Sequence, residues 1–116
     1  PNCRYHREAA QEDFLVLSGS CRLLVNGEER VLNAWDYVHC PPGVSHVFVG
    51  GEDGPCAVLM IGHRPDRHDL FYPESELARK YGAQSPEPTP DPKVAYADVE
   101  RPAPMAEKPD WPLKTS

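Results

Sequence analysis

No apolar run in the 116-residue sequence approaches the ~20 residues that a membrane-spanning helix requires; the longest, Cys56 to Ile61, has the length of a strand. A soluble chain with no membrane partner is expected. Basic residues are also scarce: 12 Lys and Arg stand against 18 Asp and Glu, giving a formal charge of -6. The electrostatic footprint of a nucleic-acid binder is missing, so no nucleic-acid partner is expected either. The four cysteines, at 3, 21, 40 and 56, include no Cys-x-x-Cys pair and fit neither a zinc site nor a dense disulfide scaffold. Two disulfides stay open for a secreted protein; four buried thiols in a reducing cytoplasm are the expectation. The sequence has no Gly-x-Ser-x-Gly elbow, no phosphate-binding glycine loop and no dinucleotide fingerprint, which argues against serine hydrolysis, phosphoryl transfer and hydride transfer from NAD.

Proline, in contrast, is abundant: 14 residues, far above the usual ~5%. An all-helical bundle is excluded. Eight of these prolines fall between Ser85 and Ser116, so the chain divides into a domain over 1–83 and a proline-rich extended tail over 84–116. Val94, Tyr96, Val99, Met105, Trp111 and Leu113 punctuate that tail with apolar groups a solvated linker would not need. A strap lying on its own domain or on a second subunit is expected; disorder is the alternative.

Residues 3 to 62 read as short strands between turns. Phe14–Leu17, Cys21–Val25, Tyr37–Cys40, Val47–Val49 and Ala57–Ile61 are rich in branched and aromatic residues, and Ser18-Gly19, Pro41-Pro42-Gly43, Gly50-Gly51 and Asp53-Gly54-Pro55 separate them. Asn26-Gly27, between Leu23-Leu24-Val25 and Val31-Leu32, is the strongest hairpin signal, since a type I′ turn wants both residues at positive φ. Closely spaced antiparallel strands mean a barrel or a sandwich. One helix is predicted over Pro73–Tyr81, acidic at its start, basic at its end and stopped by Gly82. Phe-Leu-Val-Leu, Val-Phe-Val and Ala-Val-Leu-Met-Ile do not alternate, so the outside of the sheets also needs cover. A homodimer interface, the strap, or both would supply it.

Two segments carry the chemistry. In the first, His6, Glu8, Glu12 and Gly19 follow one another with three residues between the two glutamates and six before the glycine. In the second, Trp35 precedes Pro41-Pro42-Gly43, then His46 and Gly50. These spacings resemble the two motifs of the cupins, over about residues 3 to 62. Glu8 stands where the family has its second histidine, Trp35 where it has a turn glycine and Gly50 where it has an asparagine. The resemblance implies an all-β fold: a cupin-type jelly-roll β-barrel, or double-stranded β-helix, here with one short helix and the proline-rich C-terminal extension.

Strand alternation puts Arg4, His6 and Glu8 on one face, and His46 with Phe48 on one face after the proline turn. If the barrel closes as in the cupins, His6, Glu8, Glu12 and His46 converge inside it as a set suited to a divalent metal ion: Fe, Mn, Ni or Zn. A second register puts Arg4 and His6 in the two histidine slots and leaves His6, Glu12 and His46 as the ligands common to both, because a guanidinium cannot ligate a metal. An unligated Glu8 would serve as the catalytic general base, and Arg4 and Phe48 would contact a small-molecule ligand; an Arg4–Glu8 ion pair is the alternative for Arg4. His39 has the parity of an outward residue. The family resemblance implies a dioxygenase- or isomerase-type activity on a small organic molecule. The competing expectations are a non-enzymatic small-ligand binder and a structural dimer whose polar interior holds no metal. The polar run His63 to Asp69 reads as a solvated connection or as a lid over the barrel mouth.

Overall fold

The computed structural model describes residues 3–63 and 69–99. Its elements are β1 (Arg7–Glu8), β2 (Glu12–Ser18), β3 (Ser20–Val25), β4 (Glu28–Asn33), β5 (Tyr37–Cys40), β6 (His46–Gly50), β7 (Ala57–Gly62), β8 (Leu70–Phe71), α1 (Glu76–Lys80) and α2 (Pro92–Ala95). Two three-stranded antiparallel sheets, ordered β5-β2-β7 and β4-β3-β6, form the jelly roll, and β1 pairs β8 in a small third sheet.

The chain crosses from the first large sheet to the second at Gly19, whose φ is +72° and where any Cβ would lie 2.5 Å from Pro55 O. Only glycine satisfies both demands. The β3–β4 hairpin turns on Asn26 and Gly27 at φ 47° and 79°, the left-handed pair its dipeptide predicts. Trp35 also sits at positive φ, 74°. The backbone shape associated with the family's glycine is therefore kept while the residue is not.

Inward-facing Phe14, Val16, Cys21, Leu23 and Cys40 are buried between the large sheets. A second apolar cluster lies outside: Leu24, Val47 and Val49, on the opposite parity of β3 and β6, pack with Tyr5, Ala78 and Ala83. The cover for this sheet comes from the α1 segment, a solution the sequence reading did not name. That helix begins later than predicted because the Ser75 side chain accepts a hydrogen bond from Ala78 N, capping the helix two residues beyond Pro73. It ends as its sequence requires: Gly82 at φ 68° lets Ala83 N and Gly82 N donate back to Ala78 O and Arg79 O.

The described part of the tail lies on its own barrel. Tyr72 and Thr89 form a two-way backbone bridge, Tyr96 OH accepts from Arg4 N at 3.2 Å, and Asp98 pairs with Arg4 at 2.7 Å. A second short helix, α2, forms inside this proline-rich stretch because Pro92 occupies its first turn, where no N–H is needed, and Asp91 caps it. Met105, Trp111, Leu113 and the core of the polar connection, residues 64–68, lie outside the described residues. No helix among the described residues is long and apolar enough to cross a membrane. All four cysteines are free thiols.

Candidate metal centre

His6 and His46 come from segments 40 residues apart, joined by an isolated antiparallel bridge: His6 N donates to His46 O at 3.1 Å and His46 N to His6 O at 2.8 Å. Directly paired residues project to one face of a sheet, and the two ring centroids are 4.8 Å apart. Gly43 helps to set this geometry: its N–H, at the end of the Pro41-Pro42-Gly43 turn, donates to Glu8 O at 2.8 Å and ties the turn before His46 to β1.

Each imidazole is also fixed in rotation. His6 Nδ1 donates to Arg4 O at 2.7 Å and His46 Nδ1 donates to Val44 O at 2.9 Å; a carbonyl can only accept, so the proton sits on Nδ1 in both rings. Both Nε2 atoms consequently face Glu12 Oε1, at 3.6 Å from His6 and 2.9 Å from His46. One potential ligand atom from each of the three residues lies within 4.8 Å of the others. The His46 contact has ion-pair distance but not hydrogen-bond alignment, so His46 Nε2 and Glu12 Oε1 are both buried without a hydrogen-bond partner. Two lone pairs held this close repel unless a cation, a proton or a metal ion, lies between them.

The electrostatics of the carboxylates follow from this crowding. Burial acts to raise the Glu12 pKa, but the imidazoles of His46 and His6 and the Glu8 carboxyl outweigh it and hold Glu12 well below the usual carboxylate range. Burial, together with Glu12, pushes Glu8 up to about 7 against the opposing pull of His6. Burial would lower His6, yet Glu12, the Arg4 carbonyl and Glu8 raise it on balance. Glu8 Oε1 lies 4.0 Å from His6 Nε2, at the margin of the three converging residues rather than among them.

Phe14 separates the polar group from the apolar interior, its ring 5.5 Å from that of His46 and 4.6 Å from that of Phe48. Phe48 in turn lines a cleft of about 360 Å³ with Cys3, Val58 and Met60. Arg4 forms no ion pair with Glu8. Its guanidinium is held elsewhere: Nη1 donates to Gly82 O at the end of the α1 segment and Nη2 to Asp98 of the strap, each at 2.7 Å, which commits it away from the role of a substrate clamp. His39 points outward as its parity requires and bonds Asp13 at 2.6 Å.

Tyr72 was not anticipated. It is buried, its ring 6.0 Å from His6 and 5.9 Å from Tyr96, and burial with the neighbouring Tyr96 pushes its hydroxyl far upward. The apolar run Leu70-Phe71-Tyr72 after the polar connection was its only signal in the sequence.

Residues 2–62, just over half of the chain, match the family model of the cupin domain. The chain belongs to the cupin family. Among solved structures, a sugar phosphate isomerase of the cupin superfamily from Silicibacter pomeroyi is 24% identical with a TM-score of 0.59, over 63% of this chain and 48% of that one. A candidate sugar phosphate isomerase from Acidithiobacillus ferrooxidans is 27% identical with a TM-score of 0.52, over 58% of this chain and 44% of that one. The chain thus spans about half the length of these two neighbours. No curated protein sequence matches the chain.

Proposed function

We propose that this cupin holds a divalent metal ion on His6, Glu12 and His46 and acts on a small organic molecule by an isomerase-type proton transfer. The observation that carries the metal reading is the pair of imidazoles locked with Nδ1 protonated, so that both Nε2 atoms face one carboxylate oxygen. Mixed nitrogen and oxygen donors with positions left open suit Fe(II), Mn(II), Ni(II) or Zn(II). When bound, such an ion supplies Lewis-acid polarisation of a carbonyl.

The chain's own residues supply the rest. Glu8, beside the ligands and not among them, takes the proton from the hydroxyl-bearing carbon next to the carbonyl and returns it to the carbonyl carbon, while the hydroxyl proton passes to the former carbonyl oxygen; no oxidant or reductant is consumed. Phe14 and Phe48 keep one side of the site dry. The likeness to the Acidithiobacillus neighbour favours isomerisation over a dioxygenase reaction, which would also need dioxygen.

The test is elemental analysis of protein purified without added metal, followed by NMR detection of proton exchange into small aldoses, ketoses and their phosphates in heavy water. Bound or loadable stoichiometric metal, and exchange that falls by roughly 10²–10⁴ in Glu8→Gln with metal retained, are expected. A chain that cannot be loaded overturns the metal reading. A loaded chain that exchanges no compound, yet is stabilised by one, makes the protein a binder instead.

A further inference from the structure

We infer that the C-terminal strap sets the rotation of the His6 imidazole, with Tyr96 and Asp98 as positioning residues that reach the candidate metal centre through Arg4; the inference rests on the metal reading proposed above. The backbone bridge between His6 and His46 fixes their spacing, but each ring can still turn about its own side-chain bonds. What stops the turning is one hydrogen bond apiece, from Nδ1 to the carbonyl two residues back: Arg4 O for His6 and Val44 O for His46. That bond decides the tautomer, and with it whether Nε2 offers a lone pair to an ion. A carbonyl holds an imidazole only as steadily as it is held itself.

The two carbonyls are held by different parts of the chain. Val44 belongs to the proline turn, where its N–H donates to Pro41 O at 3.3 Å, and the neighbouring Ser45 O accepts from Asn26 N at 3.0 Å. His46 is thus oriented from within the barrel. Arg4 lies before β1 and outside any strand, so no sheet ladder fixes it. Its N–H donates to Tyr96 OH at 3.2 Å, and its buried guanidinium donates to Asp98 and to Gly82 O. In the same peptide unit as Arg4 O, Tyr5 N–H donates to Ala83 O at 2.7 Å. A planar trans peptide points its N–H and C=O in opposite directions, so holding one aims the other. Gly82 and Ala83 close the α1 segment and lead directly into the strap.

The strap also bears on the ring from a second direction. Tyr72 packs against His6 with ring centroids 6.0 Å apart; its backbone is bonded both ways to Thr89, and Tyr96 meets it edge-on at 5.9 Å. Tyr96 therefore touches both supports of His6, the Arg4 backbone and the Tyr72 ring. The rings that meet His46 are those of Phe14 and His6, and neither belongs to the strap. Loosening the strap should release one imidazole and leave the other in place.

Long-range proton–nitrogen NMR spectra of the metal-free full chain test this, recorded at about pH 8.5, above the ordinary imidazole range. In the parent both rings should show a single Nδ1–H tautomer. In the double variant Tyr96→Phe with Asp98→Asn, which removes the hydroxyl and the charge and little volume, the His6 signals should move toward a mixture of tautomers while those of His46 stay. Calorimetric titration with zinc, which such sites hold more tightly than Mn(II) or Fe(II), should show affinity weakened about tenfold in that variant. Gly54→Ala, strained at φ 121° in the turn before β7, serves as the purely structural control: it should lower the urea midpoint and leave both tautomers and the zinc affinity as in the parent. Unchanged His6 signals in the double variant overturn the inference, as does a zinc affinity that it weakens no more than Gly54→Ala does. A parent that takes up no zinc overturns the metal reading, while the tautomers, read without metal, still decide whether the strap sets the ring.

Discussion

His6 and His46 exchange both of their backbone hydrogen bonds with each other, so the main chain itself sets the distance between the two imidazoles. A site whose spacing is fixed by a backbone bridge needs little rearrangement to accept an ion, and binding should be read directly as stability.

A divalent ion at about a hundred times its dissociation constant should stabilise the folded chain by ~2.7 kcal/mol, on the order of 10 °C in melting temperature. Differential scanning calorimetry with and without metal measures it. His46→Ala and Glu12→Ala should each abolish the increment, and a shift that persists in both variants would place the ion elsewhere.

Glycine 19 and glycine 27 offer a matched pair. Both have positive φ, but a Cβ at 19 meets the Pro55 carbonyl at 2.5 Å while at 27 it meets nothing within 4 Å. Gly27→Ala should cost about 1 kcal/mol from backbone strain alone, and Gly19→Ala roughly 2–5 kcal/mol because Pro55 must also move. Equal losses in urea unfolding would contradict the close approach.

Asp98 holds the Arg4 guanidinium from the strap, leaving Gly82 O as its other acceptor. Asp98→Ala should destabilise the domain by about 1–3 kcal/mol, since Arg4 is buried and loses a charged partner. An unchanged urea midpoint would mean that the strap contributes nothing to folding.

Thiol titration gives the pH dependence. Burial, followed by Cys56 for Cys21 and by Glu12 for Cys40, raises both thiols from 9.0 to about 11. The folded chain therefore keeps two protons that the unfolded chain releases from about pH 9 upward. Stability should be fully present below pH 9 and decline as pH climbs toward 11, seen as a falling urea midpoint. Alkylation at pH 8 followed by mass spectrometry should modify Cys56 before Cys21 or Cys40, and equal rates at all three would contradict the burial.

The sequence reading and the structure agree where the determinants are local. Asn26-Gly27 specifies its own turn, the β-rich runs specify strands, and the spacing around Glu12 and the proline turn picks out His6, Glu12 and His46. They part where a residue's partner is distant. Arg4 looked like a pocket residue because alternation puts it in phase with His6; its actual partner, Asp98, lies 94 residues away and leaves no mark near position 4. Tyr72 was missed for the same reason. Strand β4, largely exposed and rich in Glu and Arg, was legible only through its hairpin turn.

The contact between Arg4 and Asp98 also orders events in time. The segment bearing His6 is gripped from behind by Tyr96 and Asp98, so a growing chain must extend nearly a hundred residues before that grip can close. The β3–β4 hairpin can pair as soon as it is made, whereas the segment carrying His6 gains its last support only when the strap arrives. His6 is bridged to His46 before that grip closes, and the strap seals the segment from behind last.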